Sequence, residues 1–288
     1  MSGTATNRTN IGLPAELSAE ILQKTQEASA VMQLARQIHL PGAGAEIPVI
    51  TSDPTAAWVS ETGTKPVSNP GLSKKIMSAY KLAVIVPFSN EFRRDANALY
   101  NALVTRLPNA LAAKFDATVI GGTAPGSNFD VLTACQAQEI GTGTFAGYVA
   151  AMGDIADNGG NMDGIILSPQ AKAATLGAVD LSGRPLFIAD ASQGNVGAIL
   201  GAKTLAEKAA HVAGVCDGVA GDWTQAVWGT VEGVKIDFSD QATLDDGNDG
   251  VINLFQQNMF AVRAEIEVGF RADTACFNLL TVAAESDS

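Results

Sequence analysis

The chain has 288 residues, 47% of them hydrophobic, enough to bury a sizeable core as one large domain or two intertwined ones. Only 17% are charged, with a net charge of -12, against roughly 25% charged residues in ordinary soluble proteins. An acidic chain without dense Lys and Arg clusters is excluded from gripping nucleic acid directly through its phosphates, and so little charge fits a surface that is covered by copies of itself or by a large core.

The first residues, to about Asn10, are polar and aperiodic and predict an arm ordered only by a partner. They carry neither the apolar core of a signal peptide nor, anywhere later, a run of about 20 apolar residues for a membrane span. Leu17, Ile21, Leu22, Ala28 and Val31 or Met32 recur at helical spacing, and Leu34 and Ile38 extend that helix toward the break at Pro41–Gly44. A strand is predicted over Glu46–Thr51, followed by the segment Ala57-Trp58-Val59-Ser60-Glu61. Gly63, Pro66, Asn69, Pro70 and Gly71 then punctuate Glu61–Lys75, which resists helix and cannot be a central strand. An extended hairpin reaching into solvent is expected there. Such a hairpin is marginal alone in water and needs a neighbour to lie on, unless it is simply a mobile surface loop.

Alternation returns over Ile76–Phe88, with Tyr80, Leu82, Val84 and Val86 on one face and Pro87 as the predicted end. Ser89 or Asn90 is positioned to cap a long helix, about residues 89–120, with Phe92, Ala96, Leu99, Leu103, Leu107, Leu111 and Phe115 as its apolar stripe. It would span about 45 Å, bending at Pro108 and stopping at Gly121-Gly122. The middle of the chain, 128–246, reads as a compact α/β unit. Helices are predicted over Phe145–Ala156 and Pro169–Leu176, and strands over Gly164–Ser168, Leu186–Ile188 and Ala226–Trp228. The last strand signal is the clearest. From Phe260 the residues Phe260, Val262, Ala264, Ile266, Val268 and Phe270 are apolar at every second place, so one face is dry and the other wet or partner-facing.

Catalytic and ligand motifs fail on detail. Gly121–Ser127 has phosphate-loop spacing but no Lys at the phosphate position, and Gly141, Gly143 and Gly147 miss the dinucleotide fingerprint by one residue. The acidic run Asp245–Gly250 has Gly247 at a ligand position and Gln256 where a calcium loop needs Glu, so a solvated hairpin turn is expected. His39 and His211 are the only histidines, no G-x-S-x-G elbow exists, and both are read as structural. Cys135, Cys216 and Cys276 are odd in number and unpaired by motif, which predicts buried thiols in a reducing cytoplasm, with an intersubunit disulfide as the alternative. No enzyme activity, cofactor or metal is expected.

Two segments carry a resemblance. Ala57-Trp58-Val59-Ser60-Glu61 ahead of a long two-stranded loop, and Gly221–Phe270 with its Gly-Asp-Trp opening and its Leu254-Phe255-Gln256-Gln257-Asn258 lead-in to the long strand, resemble tailed-bacteriophage major capsid proteins of the Hong Kong 97 fold. The likeness runs from about Leu13 to Thr281. It implies an α+β capsid fold with an N-terminal arm and short helix (1–45), an extended loop with flanking strands (46–80), a discontinuous peripheral domain in which the spine helix lies on a sheet (81–127 and 247–286), and an axial α/β domain (128–246). It implies a structural protein of the virion, assembled in the host bacterial cytoplasm into hexamers and pentamers of an icosahedral head around double-stranded DNA, without sequence-specific binding and without a membrane. The scaffolding extension of the founding member is missing, since the arm begins almost at once, which implies either a separate scaffolding protein or an already processed chain; Met1 favours the former, and portal and decoration proteins are expected besides. Intersubunit contacts are expected at Trp58, Glu61, Lys65, Lys74, Lys75, Arg263, Glu265 and Glu267. In the founding member of the fold a loop lysine bonds covalently to a neighbour's asparagine with help from a glutamate. Motif by motif, those positions fall on Lys74, Asn258 and Glu265, where the alternative is an ordinary ion pair or a solvated lysine. The competing readings are an encapsulin-type compartment storing a cargo enzyme and, in another class, a soluble α/β enzyme.

Overall fold

The computed structural model describes residues 15–42, 44–52, 56, 58–61, 64–65, 67, 71–91, 96–140, 146–178, 182, 198–245 and 250–282. The expected arm to Asn10, the hairpin tip at Gly63, Pro66, Asn69 and Pro70, Phe92, the glycines 141 and 143, the strand Leu186–Ile188 and the acidic turn 246–249 lie outside the described residues. In chain order the elements are α1 Ala15–Ala28, α2 Ala30–Leu34, β1 Arg36–His39, β2 Ala45–Ser52, β3 Gly71–Met77, β4 Tyr80–Ser89, α3 Ala96–Gly121, β5 Gln136–Ile140, α4 Ala146–Asp157, β6 Gly164–Leu167, α5 Pro169–Leu176, β7 Ala198–Ile199, β8 Ala202–Ala206, β9 Gly218–Gly221, β10 Ala226–Thr230, β11 Lys235–Ser239, β12 Thr243–Asp245, β13 Val251–Asn253, β14 Met259–Ala272 and β15 Phe277–Val282.

The alternation that begins at Phe260 builds the first sheet. Phe260, Val262, Ala264, Ile266, Val268 and Phe270 are all buried. The first four meet Leu103, Leu107 and Leu111 of α3, together with Ile21 of α1, in one cluster. One edge of β14 pairs antiparallel with β4 from Met259↔Ser89 to Val268↔Tyr80. Its other edge pairs with β11 and then β10, and β1 adds parallel to β10. Sheet and spine helix are therefore one unit, with α3 laid across the dry face.

The second sheet has the order β5-β15-β9-β6-β8-β7. Its central strands are apolar on both faces, as a doubly covered sheet requires. Ile165, Leu167, Ala220 and Leu280 pack with Tyr148, Ala151 and Ile155 of α4. Ile166, Val219 and Leu279 face the opposite way into the core shared with the first sheet, where Phe115, Phe129, Trp223, Trp228, Phe270 and Phe277 gather. Phe115 meets Phe129 and Phe270 edge-on, with ring centroids 6.3 Å apart in both pairs. The Trp228 indole donates to the Met32 carbonyl and that of Trp223 to the Gly164 carbonyl. Only glycine fits at 164, since a Cβ there would sit 2.5 Å from the Trp223 ring.

Several expectations are corrected. The first helix does not run to Ile38. Ser29 caps a new short helix through Met32 N–H, Ala35 turns extended, and Arg36–His39 forms β1 against Val227–Thr230. Spacing of four satisfies a helix locally, but a sheet edge claims these residues. Pro87 does not end β4, because β4 lies at an edge of the sheet and its missing N–H breaks no ladder; the strand continues to Ser89. Ser89 is therefore the last residue of β4, its hydroxyl accepting from Glu91 N–H, and Asn90 N–H is tied to the Asn258 carbonyl. The described helix starts at Ala96, and its 26 residues, with Pro108 inside, measure about 39 Å. Ala226–Trp228 is a strand as expected, yet it belongs to the first sheet, while Phe277–Val282 crosses into the second. The strands thus cross the expected 128–246 division in both directions.

Where α1 meets α2, the fold buries a carboxylate. Asp116 of α3 is inaccessible and accepts hydrogen bonds from the Ser29 hydroxyl and the Ala30 N–H. Burial outweighs these donors and, with Glu207 adding repulsion, pushes its pKa up to about 7. With the folded value above the unfolded one, the folded state holds a proton that the unfolded chain has lost between about pH 4 and 7, so this residue subtracts stability as pH rises through that window. In thermal unfolding of dissociated subunits, Asp116→Asn is expected to gain on the wild type by about 3 kcal/mol between pH 4.5 and 7.5. Parallel profiles would contradict the buried-acid account.

Candidate functional site

The described residues show no constellation for chemistry. No group of three or more His, Cys, Asp or Glu among them could hold a metal ion. Burial pushes the Cys135 thiol up to about 12 and Cys216 up to about 11, so neither is an activated nucleophile. His211 Nδ1 pairs with Asp217 at 2.7 Å, and the second Asp217 oxygen accepts from Val282 N–H, which fastens the end of β15. No helix among the described residues is long and apolar enough to cross a membrane.

What the chain does present is a projecting hairpin with a rigid root. β2 and β3 pair antiparallel from Ala45↔Met77 outward, in a sheet of their own. At the root, Met77 is fully buried with Leu40 and Val227, joined by Ile38, Ala45 and Ile47. Gly44, at φ +88°, brings the chain so close to the Met77 carbonyl that a Cβ would lie 2.7 Å from it. Beside the root, one guanidinium ties three segments together. Arg271 Nη1 meets Asp130 Oδ1 at 2.7 Å, Nε donates to the Ile76 carbonyl of β3, and Nη2 reaches Asn128 Oδ1. Asp130 Oδ2 accepts the Ala272 N–H and lies 3.6 Å from Lys75 Nζ, which itself donates to the Ala272 carbonyl.

Away from the root, the described side chains between the two strands are bare. Trp58 and Val67 are almost wholly exposed, and Glu61 and Lys65 are exposed beside them. Lys74 forms an ion pair with Glu46 of the opposite strand at 2.6 Å, both largely in solvent. The wet face of the first sheet carries a charge ladder. Arg263 pairs with Asp237 at 2.7 Å and Glu265 at 3.2 Å, Glu267 with Lys81 at 3.5 Å, and Lys235 with Asp237 at 3.9 Å. Three cations and three carboxylates make it electrically neutral, though it shows both signs to a partner.

The expected contact residues thus separate into three places. Trp58, Glu61, Lys65 and Lys74 lie on the hairpin, Lys75 at its root, and Arg263, Glu265 and Glu267 on the ladder. Asn258 lies just before β14 in a left-handed turn, φ 53°, where its side-chain oxygen accepts from Asn90 Nδ2. Glu265 sits seven residues further along, about 23 Å away in an extended strand, so one subunit does not bring Asn258 and Glu265 together. Arg271, Asp130, Lys81, Lys235 and Asp237 were not singled out in the sequence. Arg271 stands at a wet position of the alternation, which is a signal, but its carboxylate partner is 141 residues away.

The chain matches the model of the Phage capsid family over residues 10–275. A probable major capsid protein, gp17, of Mycobacterium phage L5 is 31% identical over 284 residues, covering 91% of this chain and 86% of that one. The fold is similar to solved chains from Gordonia phage Cozz (TM-score 0.68, 21% identity, 89% of this chain and 87% of that chain) and Mycobacterium phage Cain (TM-score 0.68, 21% identity, 99% and 95%).

If Arg271 sets the hairpin root, Arg271→Met removes Asp130's 2.7 Å ion-pair partner in a site where the two side chains are only 12% and 19% exposed, leaving it Lys75 at 3.6 Å and the Ala272 N–H. Urea unfolding of dissociated subunits is expected to register a loss of about 2–3 kcal/mol, with Arg271→Lys recovering part of it. A change within about 0.5 kcal/mol, the range of an ordinary surface substitution, would contradict that role.

Proposed function

Because the chain belongs to the phage capsid family and is a major capsid protein, a structural subunit of the phage shell, we propose that it works in rings of six and five copies that close into an icosahedral head around double-stranded DNA. The first sheet with α3 serves as the peripheral domain and the second sheet with α4 and α5 as the axial domain. β2 and β3 flank the extended loop. The supporting observation is the hairpin itself: rigid at Met77 and Arg271, yet bearing a fully exposed Trp58 that the subunit leaves in water. A neighbour's neutral ladder at Arg263, Glu265 and Glu267 offers such a hairpin a polar seat, with charges of both signs to fix its register. Contacts of this head-to-tail kind close rings.

A net charge of -12 suits a wall that holds DNA without adhering to it. Assembly in the host cytoplasm, with a separate scaffolding protein and with portal and decoration proteins, belongs to the same reading. An encapsulin-type compartment is disfavoured by the capsid family match and the 31% identical phage relative. For Lys74 we favour the ion pair with Glu46 over a covalent bond to Asn258 of a neighbour, since the amine is already engaged by that carboxylate at 2.6 Å and lies in solvent rather than in a desolvated pocket.

Negative-stain microscopy of purified protein is expected to show closed shells or ring-shaped capsomers, and boiled particles should run as a single 29.6 kDa band. A stable monomer at high concentration would refute the shell reading. A ladder of multimers would instead refute the ion-pair role of Lys74 and establish crosslinking.

A further inference from the structure

Between the C-terminal half of α3, the start of β4 and the loop that follows α3 lies an open cavity of about 480 Å³. That is within the range of about 300–1,000 Å³ typical of ligand pockets. Tyr80, Phe115, Phe129 and Val268 form its apolar wall, and Lys81 and Lys114 stand among its lining residues. Phe115 and Phe129 belong to the buried core, so the floor is rigid, while both lysines are exposed. An aromatic hollow with a cationic rim fits a flat apolar ring that has a carboxylate close by in sequence.

The same chain displays such an element on its outside. Trp58 is 104% exposed, the most exposed large apolar side chain of the described residues, and Val59 beside it is 37% exposed. Glu61 follows three positions on. Trp223 and Trp228, the other tryptophans, are each 1% exposed. Leaving an indole in water forgoes one of the largest burial gains any side chain offers, and tryptophan is among the side chains that most often dominate binding at interfaces. Resting on the shell reading, we propose that Trp58 of one subunit inserts into this cavity of a second copy, with Glu61 set against Lys114. Charge complementarity selects this occupant, and every subunit carries both the ring and the hollow, so the contact repeats around a closed ring. Lys81 turns its ammonium to Glu267, 3.5 Å away on the wet face of the sheet, which leaves Lys114 as the partner for Glu61.

The test uses full-length protein before and after assembly. Acrylamide quenching reads Trp58 selectively, since Trp223 and Trp228 are already buried, and assembly is expected to remove most of it. Thr118→Phe, which fills the cavity from a half-exposed helix position, should cut shell yield as deeply as Trp58→Ala and leave Trp58 quenchable in any shells that form. Lys114→Glu and Glu61→Lys, both surface changes, should each reduce assembly, and the double variant should restore it. Shells whose Trp58 stays fully quenchable, or a charge swap that restores nothing, overturn the docking while the shell reading stands. Failure of the wild type to assemble at all overturns both.

Discussion

Strand β14 has two edges and two faces, and each is assigned. One edge carries β4 and the other β11 and β10; the dry face carries α3 and α1, and the wet face carries the charge ladder. Its final residues, Arg271 and Ala272, bind the hairpin root and the loop into the second sheet before the chain turns into β15. A slip of one residue would turn Arg263, Glu265, Glu267 and Arg271 toward the buried face, so the register is strongly specified. Helix, hairpin and second sheet all take their positions from this one strand.

That dependence explains how much was legible in the sequence. The alternation from Phe260 to Phe270 and the stripe through Leu103, Leu107, Leu111 and Phe115 are local patterns of great length, and both are in the structure as expected. Pro169–Leu176 is legible for a similar reason, because Ser168 caps it and proline sits in its first turn. The errors fall where a distant partner decides. Arg36–His39 reads as helix until β10 is there to pair with it, and Pro87 reads as a stop until β4 is known to be an edge. Likewise β10 and β15 reveal nothing about which sheet they join. The hairpin could be expected from its Gly and Pro spacing, but the Arg271–Asp130 clamp that aims it could not.

Taken together, the rigid root and the bare segment beyond it describe a subunit that is structurally specified but not complete. Its core satisfies α3 and both sheets, and among the described side chains Asn90 Oδ1 is the single buried polar atom left unsatisfied. The unmet need is outside, at Trp58 and Val67. A protein low in charge, with such side chains left in water, presents surface suited to burial against a partner. The family to which it belongs makes that surface a shell.

Hydrogen–deuterium exchange over residues 45–77, compared between dissociated subunits and assembled particles, tests this most directly. The account predicts that Met77 and its neighbours at the root are protected in both states, while the outer hairpin exchanges rapidly in the subunit and becomes protected on assembly. An outer hairpin equally protected in the isolated subunit would mean that the chain folds it against itself, and would contradict the claim that neighbours complete the structure.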